Sequence, residues 1–313
     1  MKNLPLLIHA GYHKTASSWF QKELFEENDG FERVATGLEL GKKIVQPDWF
    51  DFDPGKVRAQ FMPRIETARG RGRVPVISSE RFTGNPHSGG YDADRIAKRL
   101  SKVFPEAKVW YNIREQISMI KSCYKQYLKI GGVASAKEYI HGDRYMSRYP
   151  CFRCKNFEYH RLFGYFRNLF GEENVLVLPF ELFASNPDEY FSILQDFVEK
   201  KINIEKLKFG KKRNVSFSGR ASYVIRIMNS FFEKPEINNY TLFSRPYSEK
   251  IRRRMRNMIK RMDKKVISKI SNNTLHNHIE NIVSNEKTEK FGRSNRKINN
   301  MGVKSITRYG YIT

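Results

Sequence analysis

The sequence predicts an α/β fold of three layers, in which helices cover both faces of a central parallel sheet. Short apolar runs of strand length alternate along the chain with segments of helical periodicity, which is typical of such a sheet. A chain of 313 residues is long enough for one such domain with an appended region. No apolar run approaches the length of a membrane span.

The elements follow one another in a regular order. The predicted strands are Leu4–Ala10, Val74–Ser79, Lys108–Ile113 and Asn174–Leu178. The predicted helices carry apolar residues at helical spacing and cover Ser17–Glu26, Ala93–Phe104, Gln116–Lys129, Phe157–Phe170 and Glu189–Lys200. We expect a single domain over residues 1–313, because the sequence contains no internal repeat and no low-complexity tract.

The first predicted strand leads into Ala10-Gly-Tyr-His-Lys-Thr-Ala-Ser-Ser-Trp19 and then into a helix. This arrangement is typical of a phosphate site, because backbone N–H groups at a helix N-terminus converge on the anion and Lys14 adds a full charge. A nucleoside-triphosphatase loop reads G-x-x-x-x-G-K-[ST], whereas Gly11 is the only glycine here. We therefore expect a phosphorylated ligand, bound by a loop of a different type.

The order Lys-Thr-Ala-Ser-Ser-Trp at residues 14–19 resembles the 5′-phosphosulfate loop of sulfotransferases that use 3′-phosphoadenylyl sulfate (PAPS). The resemblance implies a P-loop-like three-layer fold, PAPS as the cofactor and no metal. Ala16 replaces the family's glycine, which is a mild change if the backbone keeps a negative φ. For Trp19 the family implies a place against adenine, and a core position is the alternative. The implied cofactor contacts are Lys14, Thr15, Ala16, Ser17, Ser18 and Trp19.

A second match follows the predicted strand that ends at Ile113. Arg114 and, eight residues on, Ser122 resemble the family's 3′-phosphate element. A guanidinium suits a phosphate monoester, and a hydroxyl two turns along the next helix supplies another donor. The sequence departs from the family at residues 115–116, where Glu-Gln stands in place of Asp-Pro or Asn-Pro.

Later segments resemble the same family more weakly. In residues 174–197 Glu181 and Pro187 fall at the family's spacing, although a plain strand, turn and helix is the alternative. Phe180 stands where some members have a tyrosine near adenine. The basic loop at 209–216 resembles the loop that closes over the 3′-phosphate, which implies contacts from Lys212 and Arg213; a solvated basic turn is the alternative.

The end of the chain resembles the closing helix and tail of bacterial and glycosaminoglycan-type members, at residues 291–298 and at Tyr309-Gly-Tyr311. We expect this closing region at about 286–313. The resemblance leaves about 220–285 unassigned, and we expect there a basic helical insertion that carries acceptor specificity.

Sulfuryl transfer requires a cation and a base. Negative charge grows on the bridging oxygen as an acceptor hydroxyl or amine attacks sulfur, so Lys14 is the expected catalytic cation. Glu80 ends the strand at the place of the family's base segment, and it needs a raised pKa to accept the proton at neutral pH. His13, beside Lys14, is the rival base. A turn or salt-bridge role is the alternative for Glu80.

The chain carries 57 Lys and Arg against 33 Asp and Glu, a formal charge of +24 that exceeds what one small anionic ligand needs. Between Lys250 and Lys265 the only acid is Asp263, and apolar residues recur there at helical spacing. This pattern predicts a basic amphipathic helix at 250–270. Packing in the core is one role for it; contact with a membrane surface or an anionic acceptor is the other.

Three cysteines argue against a disulfide framework and for a reducing compartment. Cys151 and Cys154 have no second pair to complete a zinc site, and His160 is the nearby candidate, so we expect a packed or incidental pair. The start of the sequence does not read as a signal peptide. We expect a cytoplasmic protein, with peripheral contact at the inner membrane surface as an extension.

Two other classes of function remain open. A P-loop kinase-like phosphotransferase is supported only by the pair Lys14-Thr15. A non-catalytic binder of polyanions or membrane surfaces would explain the charge but not two anion sites at strand-to-helix junctions. No specific nucleic acid is expected. A saccharide hydroxyl is the first expectation for the acceptor, and a lipid or a small metabolite stays open.

Overall fold

The computed structural model describes residues 4–141, 151–209, 218–231, 248–265, 274–283, 285–303 and 306–313. Five strands of the described residues form one sheet, and all neighbouring strands run parallel in the order β2-β3-β1-β4-β5. They are β1 (Leu7–His9), β2 (Phe31–Arg33), β3 (Val74–Ser78), β4 (Lys108–Ile113) and β5 (Val175–Pro179). The predicted parallel sheet is therefore confirmed.

Helices connect the strands and continue beyond the sheet. In the described ranges they are α1 (Ser17–Trp19), α2 (Gly37–Leu40), α3 (Pro54–Gly70), α4 (Ala93–Val103), α5 (Gln116–Lys129), α6 (Ala136–His141), α7 (His160–Phe170), α8 (Phe180–Ser185), α9 (Pro187–Val198), α10 (Gly219–Asn229), α11 (Ser248–Lys265), α12 (Thr274–Ile282) and α13 (Asn285–Asn300). A π-helical segment, Phe20–Leu24, follows α1 directly. The helices α10, α11 and α12 confirm the predicted helical content of the C-terminal region.

Two hydrophobic clusters lie on opposite faces of the sheet, because successive strand residues point in opposite directions. Ile8 and Tyr111 belong to one cluster together with residues of α3, α4, α5 and α7. Leu7 and Trp110 belong to the other, with residues of the Phe20–Leu24 segment and of α9. The arrangement of helix, sheet and helix confirms the predicted three layers.

The sequence prediction lacks several of the observed elements, namely β2, α2, α3, α6 and α8. The edge strand β2 is three residues long and contains Glu32 and Arg33, so it lacks an apolar run. The helix α3 begins with Pro54 after an Asp53 cap that accepts from the Lys56 N–H, and it buries apolar residues toward the sheet. Pro63 stands inside that helix and interrupts the pattern on which a helix prediction depends.

The topology sets where a ligand can bind. From β1 the chain crosses to β2 at one edge of the sheet, whereas from β4 it crosses to β5 at the other edge. A crevice opens at the carboxyl ends of neighbouring strands whose connections leave in opposite directions. The loops that follow β1 and β4 therefore border this crevice.

Candidate active site

The loop after β1 is held by hydrogen bonds of its own. The Ala10 and Tyr12 N–H groups extend the pairing with β4 by donating to the carbonyls of Trp110 (2.9 Å) and Asn112 (3.0 Å). The Thr15 hydroxyl donates to the Tyr12 carbonyl at 2.6 Å. The Ser17 hydroxyl donates to the same carbonyl at 3.3 Å. Since a hydroxyl has one proton, these two side chains shape the loop in this structure.

Ala16 adopts φ 65° and ψ 18°, the left-handed region, where it forms the N-cap position of α1. The sequence analysis rates its replacement of glycine as mild on condition that φ is negative, and this condition is not met. A Cβ in this region is disfavoured by about 1–2 kcal/mol. Ala16 is therefore a strained substitute at a position that suits glycine.

Trp19 packs within a cluster of aromatic rings. Its ring stacks on Phe209 with centroids 5.3 Å apart and an interplanar angle of 25°, and it also contacts Phe183. Its indole N–H donates to the Lys208 carbonyl at 3.2 Å. The ring is half-buried at the margin of this cluster and holds residues 208–209 beside the loop, and its place against adenine stays a prediction. Ser18 is exposed.

Arg114 follows β4 and reaches the loop of β1. Its Nη1 donates to the backbone carbonyl of Lys14 at 3.2 Å. Its guanidinium carbon lies 5.2 Å from the centroid of the Phe180 ring. The Arg114 carbonyl accepts from the Tyr159 hydroxyl at 2.6 Å. The two predicted anion-binding segments therefore meet at the carboxyl ends of β1 and β4, and Phe180 lies with them.

Residues near the C-terminus contact the segment that carries Arg114. Glu181 accepts from the Glu115 N–H at 3.1 Å through one carboxylate oxygen and from the Tyr311 hydroxyl at 2.9 Å through the other. Glu115 in turn caps α5 by accepting from the Ile117 and Ser118 N–H groups, both at 2.7 Å. Glu181, which the sequence marked only by its spacing, thus connects the tail to the residue that follows Arg114.

Glu80 follows β3 and faces the same loop. Its carboxylate lies 3.8 Å from His13 Nε2, and 42 % of its side-chain surface is exposed. Burial raises the pKa of Glu80, and the charges of Lys14 and Arg81 oppose this rise. Gly11 makes the approach possible: its φ is +92°, and a Cβ there would lie 2.9 Å from Glu80 Cα.

His13 is a weaker base than Glu80 in this geometry. Burial, together with the neighbouring charges of His87, Arg81 and Lys14, lowers its pKa to about 3. A group with so low a pKa is unprotonated at neutral pH but holds a transferred proton poorly. The raised pKa of Glu80 favours the carboxylate as the proton acceptor.

His87 is a site residue that the sequence analysis missed. Its Nδ1 lies 2.8 Å from the Tyr139 hydroxyl, and burial together with the charge of Lys14 lowers its pKa to about 4. It lies in the loop after β3, as Glu80 does, and its position seven residues after that strand-end carboxylate is the signal that was available. A turn capped by the Asn85 side chain orients this segment.

Lys121 and Lys125 were also missed. They stand one turn apart on α5, on either side of the predicted Ser122, which is half-buried. Burial and the nearby Arg114 charge lower the pKa of Lys121. Burial and the Lys121 charge lower the pKa of Lys125 to about 8, against the opposite effect of Asp263. Their spacing of four residues from each other, with Lys121 seven residues after Arg114, was the available signal.

Four buried nitrogen atoms of this region have no hydrogen-bond partner among the residues that the structure describes. They are His13 Nδ1, Arg81 Nη1, His87 Nε2 and Arg114 Nε. Buried polar atoms are normally paired, so four unpaired nitrogen atoms near the carboxyl ends of the strands fit a site for a polar ligand. The positive charge of Lys14 acts to lower the pKa of Glu80, of His13 and of His87, so its ammonium lies near all three.

Lys212 and Arg213 lie outside the described residues. Cys151 and Cys154 are free cysteines. No group of three or more His, Cys, Asp or Glu side chains that could hold a metal ion occurs in the described part of the chain. Within those same ranges no helix has the length and apolar character to cross a membrane.

No protein-family model matches the sequence, and the search of curated proteins finds no match. Among solved structures the chain is similar to a sulfotransferase from Alicyclobacillus acidocaldarius, with 16% identity, a TM-score of 0.49 and coverage of 63% of this chain and 81% of the other. It is also similar to the sulfotransferase domain of the Synechococcus PCC 7002 olefin synthase (11%, TM-score 0.40, coverage 67% and 78%). A third similar structure is the sulfotransferase domain from the curacin biosynthetic pathway (15%, TM-score 0.40, coverage 67% and 79%).

Proposed function

We propose that this chain is a PAPS-dependent sulfotransferase that transfers a sulfuryl group to an acceptor hydroxyl or amine, with a saccharide as the favoured acceptor. The observation that carries the proposal is the contact between Arg114 and the Lys14 carbonyl. It brings a guanidinium and an ammonium-bearing loop together at the crevice between β1 and β4, as a nucleotide with phosphates at both ends of its ribose requires.

The residues present fit this cofactor. Arg114 has a buried Nε without a partner among the described residues, and Lys121 and Lys125 add positive charge nearby. These groups would hold the 3′-phosphate together with Ser122. The ammonium of Lys14 and the backbone N–H groups at the start of α1 would hold the 5′-phosphosulfate. When bound, PAPS supplies a sulfuryl group that is already joined to a good leaving group.

The chain's own groups then have separate tasks. Lys14 stabilises the negative charge that develops on the phosphate oxygen, and this charge is larger in the transition state than in the ground state. Glu80 takes the proton of the acceptor, and its raised pKa brings it closer to neutral pH. The buried, unprotonated His13 lies beside Glu80, with its Nε2 3.8 Å from the carboxylate, and does not compete for the proton.

The experiment that tests the proposal is a transfer assay with PAPS labelled in its sulfuryl group and a panel of glycans. We expect labelled glycan and release of adenosine 3′,5′-bisphosphate, both abolished in Lys14→Ala. A protein that binds no adenosine 3′,5′-bisphosphate would contradict the proposal, whichever acceptors are present. Binding without transfer would leave the cofactor assigned and exclude the acceptors of that panel.

A further inference from the structure

The helix α11 concentrates positive charge on a docked element. Residues 248–265 contain nine Lys and Arg against two acids. One side of the helix is anchored: Ile259 and Asp263 are buried, and α11 packs against α10. Arg256 donates to the Lys129 carbonyl, at the end of α5, at 3.0 Å. Away from this anchored side, the α11 residues whose side chains the structure describes are exposed.

An apolar row runs along the solvent side. Ile251, Met258 and Met262 are 46%, 54% and 53% exposed. At 100° per residue these three positions fall within a sector of about 40°. The exposed Arg254 and Arg261 lie beside this sector, about 60–80° away on the side opposite to the buried Ile259. Arg253 lies nearly opposite the row and is also exposed.

We propose that this face of α11, the row Ile251, Met258 and Met262 with Arg254 and Arg261, docks on an anionic lipid surface. A helix that lies in the interface buries an apolar row among the acyl chains while flanking arginines bind lipid phosphates. A soluble polyanion would engage the arginines and leave the apolar row in water. The combination of both features on one side therefore favours the lipid surface. This docking does not depend on the reaction at the site.

The first test is flotation of the full chain with phosphatidylcholine vesicles that contain or lack phosphatidylglycerol. We expect binding only to the vesicles with phosphatidylglycerol. The triple variant Ile251→Ser, Met258→Ser, Met262→Ser keeps every charge, and we expect it to bind about tenfold or more weakly. The matched control Leu38→Ser, at a residue that is 70% exposed on another helix, should bind as the parent does. Unchanged binding of the triple variant would overturn the proposal.

A gain-of-signal variant keeps the test independent of folding losses. Met258→Trp should shift its fluorescence to shorter wavelength with the anionic vesicles, whereas Leu38→Trp should not. Arg254→Gln should weaken vesicle binding more than Arg253→Gln, although both remove one charge. Equal effects of the two arginine variants, or heparin binding that the triple Ser variant loses in parallel, would indicate a polyanion site and contradict lipid docking.

Discussion

Arg114 donates a hydrogen bond to the backbone carbonyl of Lys14 at 3.2 Å, although 100 residues separate them in the chain. The contact exists because β1 and β4 are parallel neighbours in the sheet and their carboxyl ends lie side by side. One N–H of the guanidinium thus fixes the loop, and a guanidinium has five N–H donors in all. The same residue can therefore position the Lys14 loop and bind an anion.

Glu80→Gln tests the base. The variant should bind adenosine 3′,5′-bisphosphate as the parent does and transfer roughly 10²- to 10⁴-fold more slowly. Because burial raises the pKa of Glu80, the parent's rate should rise with pH through a step above the usual glutamate range, and the variant should lose this step. Transfer rates across pH measure both effects.

Glu158→Gln is the matched control, since burial also raises the pKa of Glu158 and its charged neighbours lie on α7 and α13. It should leave the rate and its pH profile unchanged. A Glu80→Gln variant with full activity would assign the base to His13 instead.

Ala16→Gly relieves the left-handed conformation at the start of α1. We expect the free energy of unfolding to rise by up to about 1 kcal/mol, because the gain from lost strain exceeds the added entropy of the unfolded chain. Nucleotide binding should persist. Urea unfolding compares it with Ala59→Gly, an exposed position inside α3, which should destabilise by about 1 kcal/mol. Destabilisation of equal size in both variants would contradict the strain at Ala16.

Acid should destabilise the fold through buried histidines. Burial lowers the pKa of His9 and of His13 to about 3, whereas an unfolded histidine titrates near 6.5. The unfolded chain therefore binds more protons below pH 6.5, so stability is full above that pH and falls as pH decreases. Each histidine should remove roughly 2 kcal/mol by pH 5.

The measurement is the free energy of unfolding between pH 7.5 and pH 5. His9→Gln should reduce the proton uptake on unfolding by an amount that grows from near zero at pH 7.5 to about one at pH 5, since His9 titrates only in the unfolded chain over this range. The His9 ring contacts the Ser78 hydroxyl at 2.8 Å, so some loss of stability at pH 7.5 is also expected. An unaltered pH slope in this variant would contradict a neutral buried His9.

Tyr311→Phe tests the brace between the tail and the site. It removes the hydroxyl that donates to Glu181, so the half-buried carboxylate keeps one fewer partner. We expect a loss of about 1–3 kcal/mol in stability and weaker binding of adenosine 3′,5′-bisphosphate. Tyr309→Phe, a neighbour in the same tail, is the control, and its effects should be smaller. Identical unfolding and binding in Tyr311→Phe and the parent would show that the tail does not support Arg114.

The sequence was sufficient for four of the five strands that the structure describes and for the meeting of the loops after β1 and β4. Parallel strands of apolar residues place their carboxyl ends at one edge, so Lys14, Glu80 and Arg114 could be expected together from their positions after strands. The bounds predicted for the strand Lys108–Ile113 and the helix Gln116–Lys129 are those observed. The prediction succeeded where local pattern and long-range packing agree.

What the sequence could not supply depends on contacts between distant segments. The left-handed φ of Ala16 arises from the folded loop and has no signature in composition. Trp19 stacks on Phe209, 190 residues later, and no pattern near Trp19 indicates this. The same holds for the pair His87 and Tyr139, whose hydrogen bond joins the loop after β3 to α6. Propensity and periodicity describe neighbours in sequence, whereas these contacts are tertiary.

The most direct test is calorimetric binding of adenosine 3′,5′-bisphosphate and adenosine 5′-phosphate to the parent chain and to Arg114→Lys, with the exposed, ion-paired Arg161→Lys as control. The parent should prefer the bisphosphate, and Arg114→Lys should lose roughly 10- to 100-fold of that preference while its binding of adenosine 5′-phosphate changes little. Equal affinity of the parent for both nucleotides would contradict a site that recognises the 3′-phosphate.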